Sequence, residues 1–403
     1  YRPRRRWGLH GHLANEPQIR AFAAKNPDNQ NLRFVSFGDE IGLGRVNVKD
    51  PQVHERFRAW LTSQGITAEQ LGQPIDEANV AFDGSPRVVW YSNRFNEVER
   101  FASFRQRTEL VESLLGKHVR TGANYSPHHL ALCYGPVYQW VDIFKHRGMS
   151  MPWAEDYIFS VPEAPQMLSW MFAQLRCGAK YHQLPIHFYV MPHAPGQTPG
   201  VWRPHLIASV GDGAAQRGTR RVPHEHHATE NYVAWKATDT FRALHDAIYD
   251  TAAAEALAAQ GKVRPAEVAL VLSKATDANE TRHMVAKSQD PFAGRCENAP
   301  EQVNQIICRK DQQLLYLALR HAQHAVDLIT EDDIAEDDAL ARYKVVYFAG
   351  EWIDNRIIPK LEAWVRAGGV LYATAGLGHR NQFDEPEPAM LQLLGLKSAQ
   401  TKK

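Results

Sequence analysis

One short segment constrains the fold of this chain more than any other: the apolar run Phe34–Phe37 stops abruptly at Gly38, Asp39 and Glu40. The run is rich in residues that favour strands, so it predicts a buried strand at 32–38. A carboxylate just past the C-terminal end of a buried parallel strand lies where α/β barrels carry their chemistry. Glu40 is therefore the first candidate for a general acid.

The rest of the chain predicts a parallel α/β architecture in two domains, since 403 residues exceed one ordinary domain. Strand-like and helix-like segments alternate up to about residue 260, and polar residues follow the strand-like segments. The alternation resumes after residue 263, where one predicted helix ends at Gly368 and Gly369, as at a glycine C-cap. We predict an α/β barrel domain at 1–260 and a small doubly wound domain at 261–403.

The individual elements follow from hydrophobic periodicity. The predicted strands lie at 32–38, 118–124, 149–153, 184–191, 204–210, 267–272, 325–329, 343–349 and 370–374. The predicted helices lie at 52–63, 95–117, 137–147, 165–177, 232–260, 311–323 and 353–367. Long loops are predicted at 64–86 and 279–304.

The number of strands is too small for a complete barrel. Residues 1–260 supply about five strand–helix units, whereas a closed barrel of this type needs eight. The arginine-rich N-terminus leads straight toward the predicted strand at 32–38. We therefore expect that the first strands precede Tyr1 in a longer parent chain. The alternative is a domain that does not close into a barrel.

Composition argues against several classes of partner. The 46 basic and 45 acidic residues give a net charge of +1, so no basic field is available for nucleic acid. The four cysteines lack CxxC spacing, which predicts neither a cysteine zinc site nor a disulfide framework. No apolar stretch approaches the roughly 18 to 20 residues that span a bilayer, so no membrane partner is expected. No signal peptide is visible, and the compartment stays open between cytoplasmic and periplasmic or secreted.

Three strand-end motifs carry a family resemblance: Gly38-Asp39-Glu40, Gly122-Ala123-Asn124-Tyr125 and Trp153-Ala154-Glu155-Asp156-Tyr157. In order and spacing they resemble glycoside hydrolase family 42, the β-galactosidase-like enzymes. That family ends a strand in Asn-Glu, whose Glu is the acid/base; here Asp39 replaces the Asn. Segments 343–346 and 364–371 are similar to the family's flavodoxin-like oligomerisation domain.

The resemblance implies a (β/α)8-type TIM barrel without its first strands, followed by a flavodoxin-like assembly domain. It also implies a carbohydrate substrate, no cofactor and a homo-oligomer, either a dimer or a trimer. Glycoside hydrolysis needs one carboxyl group that is held protonated and a second that is ionised. Glu40 suits the first role because burial at a strand end raises a carboxyl pKa. The alternative for Glu40 is a helix N-cap or first-turn acid.

The second carboxylate is harder to assign. Glu155 follows the next-but-one predicted strand and is the main candidate for nucleophile or base, although it could be an ordinary loop carboxylate. Asp212 is a weaker candidate that a turn would also explain. The family's nucleophilic Glu follows a run that 188–191 resembles, yet Pro192 and His193 stand there. A rival hypothesis is therefore a non-catalytic carbohydrate-binding relative that has lost its nucleophile.

Several polar and aromatic residues near the predicted strand ends are expected to contact substrate. These substrate-binding candidates are Asp39, Asn124, Tyr125, Trp153, Asp156, His193 and Trp202. A strand-end Asn is as often a turn residue, and most tryptophans of a chain this size belong to a core, so Trp90 and Trp140 are weaker stacking candidates. The cluster 224–227 contains three histidines and a glutamate, but its spacing differs from a helical i, i+4 zinc pair. No metal site is predicted.

Overall fold

The computed structural model defines the fold for the parts of the chain that it describes. These are residues 8–10, 13–39, 41–124, 137–155, 164–189, 246, 249–250, 252–254, 257, 265–285, 307–374 and 376–398.

Up to residue 189, short strands alternate with helices. The strands are β1 (Gly8–His10), β2 (Leu32–Ser36), β3 (Arg120–Gly122), β4 (Trp153–Glu155) and β5 (His187–Tyr189). The helices are α1 (Glu16–Lys25), α2 (Pro51–Ser63), α3 (Ala68–Leu71), α4 (Pro86–Leu115), α5 (Val137–Lys145) and α6 (Ala164–Ala179).

These five strands follow one another in chain order, and every pairing is parallel. Strands β1, β2 and β3 form one sheet, with Ser36 beside Gly122, and β4 pairs with β5. A parallel bridge between Asn124 and Trp153 joins the end of β3 to the start of β4. Parallel strands in chain order, each followed by a helix, make up the wall of a (β/α) barrel. The predicted strand at 32–38 and helix at 52–63 are confirmed.

Two predictions for this part are wrong. The N-terminus does not lead straight to β2, because β1 and α1 intervene. Asn15 caps α1 by accepting the backbone N–H of Gln18, but the helix buries only Ile19, so its apolar periodicity is weak. The strand predicted at 149–153 begins later, at Trp153. The backbone N–H groups of residues 150 and 151 both donate to one carbonyl, that of Thr121, so this stretch is not a regular ladder.

From residue 265 onward the chain forms a second α/β unit. Its strands are β6 (Val268–Leu272), β7 (Val326–Thr330), β8 (Val345–Phe348), β9 (Trp352–Ile353), β10 (Val370–Ala373) and β11 (Arg380–Asn381). Its helices are α7 (Lys274–Val285), α8 (Ile307–His321), α9 (Glu331–Glu336), α10 (Ile358–Arg366) and α11 (Pro388–Leu393). Four strands form a parallel sheet in the order β10-β8-β6-β7. None of the described helices combines the length and the apolarity that a membrane span needs.

Alternate residues of β6 enter two different cores. Leu270 and Leu272 belong to a cluster that also contains Trp140 of α5, whereas Val271 packs in a second cluster with Leu361 of α10. The parallel sheet therefore has helices on both faces. The first cluster contains residues from both predicted domains, so the two parts of the chain share a core.

Two further predictions are corrected here. Residues 279–285 are the second half of helix α7, not the start of a loop, and the rest of the loop predicted at 279–304 lies outside the described residues. The helix predicted at 353–367 begins only at Ile358, because Ile353 ends strand β9 and a 3-10 turn, Asn355–Ile357, comes between. Its predicted glycine cap is confirmed, since Gly368 has a φ of +102°. In the predicted helix at 232–260, the described residues are helical.

Helix α9 begins with three consecutive carboxylates, Glu331, Asp332 and Asp333, and all three are buried. A helix N-terminus favours negative charge, but buried carboxylates also need hydrogen-bonding partners. The two oxygens of Glu331 accept the backbone N–H groups of Ala275 and Asp354, at 2.9 and 2.8 Å. The partners of the other two carboxylates include side chains of the barrel-type part.

Asp332 binds Lys274, the first residue of α7. Nζ of Lys274 lies 2.6 Å from Oδ2 of Asp332 and 2.5 Å from Oδ2 of Asp142 on α5, and only 5% of the lysine side chain is exposed. Arg94 and Arg356 also contact Asp332, at 3.4 and 2.7 Å. Although burial alone would raise it, the pKa of Asp332 lies well below its usual range, because Lys274 and the arginines stabilise the charged form.

Asp333 binds the end of α6. Its carboxylate accepts hydrogen bonds from Nζ of Lys180 at 2.5 Å and from the hydroxyl of Tyr181 at 2.7 Å. Nearby on α6, the thiol of Cys177 donates to the carbonyl of Leu328 at 3.2 Å, and burial raises the pKa of this thiol to about 12. Helices α5 and α6 are thus held to α9 by buried ionic contacts.

We expect Lys274→Met to lower the free energy of unfolding by about 3–5 kcal/mol, because it leaves the buried carboxylate of Asp142 without its lysine partner and removes one of the cations that contact Asp332. The matched control is Lys344→Met, which removes an exposed pair with Glu267 and should cost less than about 1 kcal/mol. Denaturant unfolding of both variants measures the difference. Equal losses would show that the buried contacts do not stabilise the fold.

Helices α7 and α8 are joined by a second set of buried polar contacts. Nε of Arg309 donates to Oδ1 of Asp277 at 2.8 Å, and Oε1 of Glu280 accepts the backbone N–H of Cys308 at 3.0 Å. The other carboxylate oxygen of Glu280 lies 3.9 Å from Nε of Arg309. Burial raises the pKa of Glu280 to about 7.

This raised pKa predicts a pH-dependent stability. The contribution of Glu280 is fully present below its unfolded pKa of about 4.3 and is lost as pH rises through about 7. The free energy of unfolding of the native protein, relative to Glu280→Gln, should therefore fall by on the order of 2 kcal/mol between pH 5 and pH 8. Denaturant titrations at several pH values measure this difference, and a constant difference would contradict it. Glu362→Gln, which removes an exposed carboxylate paired with Arg366, is the control variant for the same titrations.

Candidate active site

The carboxyl ends of β2 and β3 bring two predicted site residues together. Nδ2 of Asn124, two residues past β3, donates to Oδ1 of Asp39 at 2.8 Å. The backbones also stay paired beyond the strands: the N–H of Phe37 donates to the carbonyl of Gly122 at 2.8 Å, and that of Asn124 to the carbonyl of Gly38 at 3.2 Å. The two strand ends therefore lie side by side, and the substrate-binding roles of Asp39 and Asn124 stay predictions.

The side chains of Asn124 and Asp39 differ in their burial. Asn124 is only 1% exposed, and its backbone forms the bridge to Trp153. The side-chain amide of Asn124 is therefore held in place. Asp39 is exposed at the strand end. The buried amide therefore holds one oxygen of a surface carboxylate in a defined position. A carboxylate held in this way can accept hydrogen bonds from a bound ligand.

Glu40 lies outside the described residues, whereas the residues before and after it are described. A Cβ atom added to Gly38 would lie 2.4 Å from Cγ2 of Ile41, whereas one added to Gly42 would have no neighbour within 4 Å. Ile41 packs against the hydrophobic core. Position 38 therefore has no room for a side chain beside Ile41.

Glu155 is the last residue of β4, and its backbone pairs with that of Tyr189 on β5. Strand β3 separates β4 from β2. Because neighbouring strands lie about 4.8 Å apart, β2 and β4 are roughly 10 Å apart. The backbone of Glu155 thus lies at the carboxyl end of the wall, as predicted, two strands from Asp39.

Several other predicted site residues are not described by the structure. Tyr125, Asp156, His193 and Trp202 lie outside the described residues, as do Asp212 and the histidine cluster at 224–227. Their predicted roles stay predictions.

Trp153 is described, and it lies in an aromatic cluster inside the wall. Its ring centroid is 5.6 Å from that of Phe34 and 5.5 Å from that of His187, and the residue is 3% exposed. This burial favours a packing role over the predicted stacking on a sugar ring. The weaker stacking candidates Trp90 and Trp140 are buried as well.

Sequence reasoning missed the residue that supports β2 from the helix side. The guanidinium of Arg107 on α4 lies 5.0 Å from the ring centroid of Phe37 and 4.0 Å from that of Phe104, and it donates to the carbonyl of Ala14 at 2.8 Å. Burial lowers the pKa of Arg107 to about 10. The sequence does not reveal such a contact, because an arginine on an amphipathic helix is normally predicted to face solvent.

Comparison with known proteins places this geometry in a known fold. No family model and no curated protein matches the chain. A β-galactosidase from Bacillus circulans sp. alkalophilus is similar in structure, with a TM-score of 0.59 at 15% identity over 92% of this chain and 55% of that one. A catalytic mutant of a GH42 β-galactosidase from G. stearothermophilus gives 0.59 at 15% identity, over 94% and 58%. An exo-carrageenase GH42 from Bacteroides ovatus gives 0.53 at 9% identity, over 84% and 47%.

The chain therefore has the fold of the GH42 β-galactosidases, which are TIM-barrel enzymes. This confirms the fold resemblance that the strand-end motifs predicted. The chain spans between 47% and 58% of the length of these three structures. A flavodoxin-like identity for the second unit and a barrel without its first strands stay predictions.

We expect Gly38→Ala to lower the free energy of unfolding by about 1–3 kcal/mol, because the new methyl group would overlap the side chain of Ile41. Gly42→Ala also adds one methyl group, but at a position where there is space for it. This variant should change the free energy of unfolding by less than about 1 kcal/mol. Thermal or denaturant unfolding distinguishes the two. Adding Ile41→Ala to Gly38→Ala should relieve the overlap, and a double variant with purely additive losses would contradict this account.

Proposed function

We propose that this chain is part of a glycoside hydrolase that cleaves a galactoside-like or related oligo- or polysaccharide. The hydrogen bond between Asn124 and Asp39 is the observation that carries the proposal. It fixes a carboxylate at the carboxyl end of the barrel wall, in the position next to Glu40. The fold shared with β-galactosidases supports the same substrate class.

In this proposal Glu40 is the acid/base that protonates the oxygen of the leaving group. Glu155 is the second carboxylate, either the nucleophile or the base that activates water. Retaining enzymes hold their carboxyl groups about 5 Å apart and inverting ones about 6.5 to 9.5 Å. Two side chains that converge from strands roughly 10 Å apart can reach either range, so the arrangement of β2 and β4 is compatible with both outcomes.

Asp39 and Asn124 have a binding role in this proposal. Asp39 would accept a hydrogen bond from a sugar hydroxyl, and Asn124 would hold Asp39 in the orientation that this bond requires. Orientation of this kind contributes to rate because reacting groups must be held in near-attack geometry. Tyr125, Asp156, His193 and Trp202 are proposed to complete the substrate contacts.

For the second α/β unit we propose a flavodoxin-like assembly domain rather than a second active site. Doubly wound sheets bind ligands outside the carboxyl ends of their strands. In this chain the carboxyl ends of β6 and β7 carry Lys274 and Asp332, which bind each other, and Lys274 also binds Asp142 of α5. These groups are therefore engaged in buried contacts within the chain. Light scattering of the purified protein would test the proposed dimer or trimer, and a monomer at micromolar concentration would contradict it.

The second candidate function is carbohydrate binding without hydrolysis. It is favoured by one observation in the sequence, that Pro192 and His193 stand where the resemblance places the family's nucleophile. In that case the strand-end pair would bind a sugar, and Glu155 would have no catalytic role.

We expect hydrolysis of 4-nitrophenyl β-galactoside, or of another member of a panel of aryl glycosides and plant or algal galactans. Glu40→Gln and Glu155→Gln should each lower kcat/KM by about 10²-fold or more, because each removes a proton donor or an ionised carboxylate. The exposed carboxylate Asp76 provides the control variant Asp76→Asn, which should keep full activity.

Two outcomes would change the assignment. Full activity in Glu40→Gln would remove Glu40 from the mechanism. Binding of oligosaccharide without turnover, unchanged by Glu155→Gln, would favour the carbohydrate-binding protein instead.

A further inference from the structure

We propose that Tyr347 and Tyr372 form a second ligand site, a tyrosine platform on the surface of the second α/β unit that binds one or two rings of an uncharged polysaccharide. This site is separate from the strand ends of the barrel wall. It does not require that the chain hydrolyses the polysaccharide, so it stands independently of the proposed function.

The tyrosine platform lies on a part of the parallel sheet that the described helices leave open. Tyr347 of β8 is paired with Tyr372 of β10 on one side and with Leu270 of β6 on the other. Leu270 is paired in turn with Leu328 of β7, so one row of side chains crosses a single face of the sheet. Leu328 and Leu270 are buried, Tyr347 is half-buried and Tyr372 is 47% exposed. Helices α6 and α8 thus cover this face over β6 and β7, and β8 and β10 stay open.

The opposite face of the same two strands is filled. Val346 and Phe348 of β8 are fully buried in the second hydrophobic cluster, together with Leu361 of α10. Leu371 of β10 packs against this cluster as well. Because side chains alternate between the two faces of a strand, the tyrosines are held on the open face and cannot turn into the core.

The open area is small. It consists of Val345, Tyr347, Val370 and Tyr372, two residues on each of two neighbouring strands. Neighbouring strands lie about 4.8 Å apart, and successive residues on one face of a strand lie roughly 7 Å apart. A stable protein interface takes about 20–30 residues from each partner. The area therefore matches one or two sugar rings and is too small to hold a second copy of the chain.

The two aromatic rings match the chemistry of a sugar. Their centroids are 4.8 Å apart and their planes differ by 34°, and Tyr347 also packs against the first hydrophobic cluster, which fixes the inner ring. The C–H groups of a sugar can pack on such aromatic faces, while tyrosine hydroxyls exchange hydrogen bonds with the sugar hydroxyls. Within the part of the chain that the structure describes, neither tyrosine hydroxyl has a hydrogen-bond partner, so both can serve a ligand.

The charges near the open area favour an uncharged ligand. Its four side chains are valine and tyrosine, which carry no formal charge. Lys344 directly precedes β8, and its Nζ lies 2.7 Å from Oε1 of Glu267, so these two exposed charges neutralise each other. A polyanion such as nucleic acid would gain little from this balanced pair. Binding should therefore depend on stacking and change little with salt.

The test measures retardation of the native protein in nondenaturing gels that contain soluble galactan, xylan or glucomannan. At least one of these should retard it. Tyr372→Ala should weaken the affinity for that polysaccharide at least about fivefold, because it removes the outer ring, whereas Tyr372→Phe keeps the ring and should lose only about twofold. Tyr249 is a tyrosine outside the sheet that is 64% exposed, and the control Tyr249→Ala should bind as the native protein does. Thermal unfolding checks that each variant is folded.

Turnover of 4-nitrophenyl β-galactoside is measured in parallel, so that the platform and the proposed hydrolysis fail separately. Binding that depends on Tyr372 without turnover would support the platform and refute the hydrolase. Equal retardation of the native protein and Tyr372→Ala would overturn the platform while hydrolysis stands. No retardation by any of the three polysaccharides, or a retardation that high salt abolishes, would overturn it too. A dimer in light scattering that Tyr372→Ala converts to a monomer would assign this face to a second copy and overturn the sugar site.

Discussion

The buried contacts of Lys274 with Asp142 and Asp332 hold the described structure together. One ammonium group neutralises carboxylates from two parts of the chain, one on a helix of the barrel wall and one at the start of α9. Removal of three charges from water is unfavourable unless their geometry is well matched. The contacts therefore join the wall to the second sheet, and both parts contribute residues to one hydrophobic cluster.

The proposed site depends on this arrangement indirectly. Helix α5 follows β3 in the chain and helix α6 follows β4, so the strands that carry Asn124 and Glu155 are backed by the helices that α9 holds. At the surface, the pair of Asn124 and Asp39 shows the same principle on a smaller scale, since a buried polar group fixes an exposed one. The catalytic roles of Glu40 and Glu155 are proposals that build on this frame.

Sequence reasoning succeeded where the buried face of an element is apolar. Strand β2 and helix α2 have strong apolar patterns and were predicted nearly to the residue. The second half of helix α7 lies in a predicted loop, because the buried positions of this helix include Asp277 and Glu280, whose partners lie on α8 and are invisible in a hydrophobic pattern. The strand-end rule found Asp39 and Asn124, but their hydrogen bond depends on the register of β2 against β3. Trp153 is predicted to stack on a sugar because of its aromatic ring. Its burial becomes visible only in the structure, where it packs against Phe34.

The position of Cys177 gives the molecule a built-in chemical reporter. Its thiol lies between α6 and the carbonyl of Leu328 on β7, and it is 2% exposed. An alkylating reagent can reach this sulfur only when the wall and the second sheet separate. Cys308 is partly exposed at the start of α8 and would be modified without such a separation. The ratio of the two modification rates therefore measures how often the two parts of the chain come apart in solution.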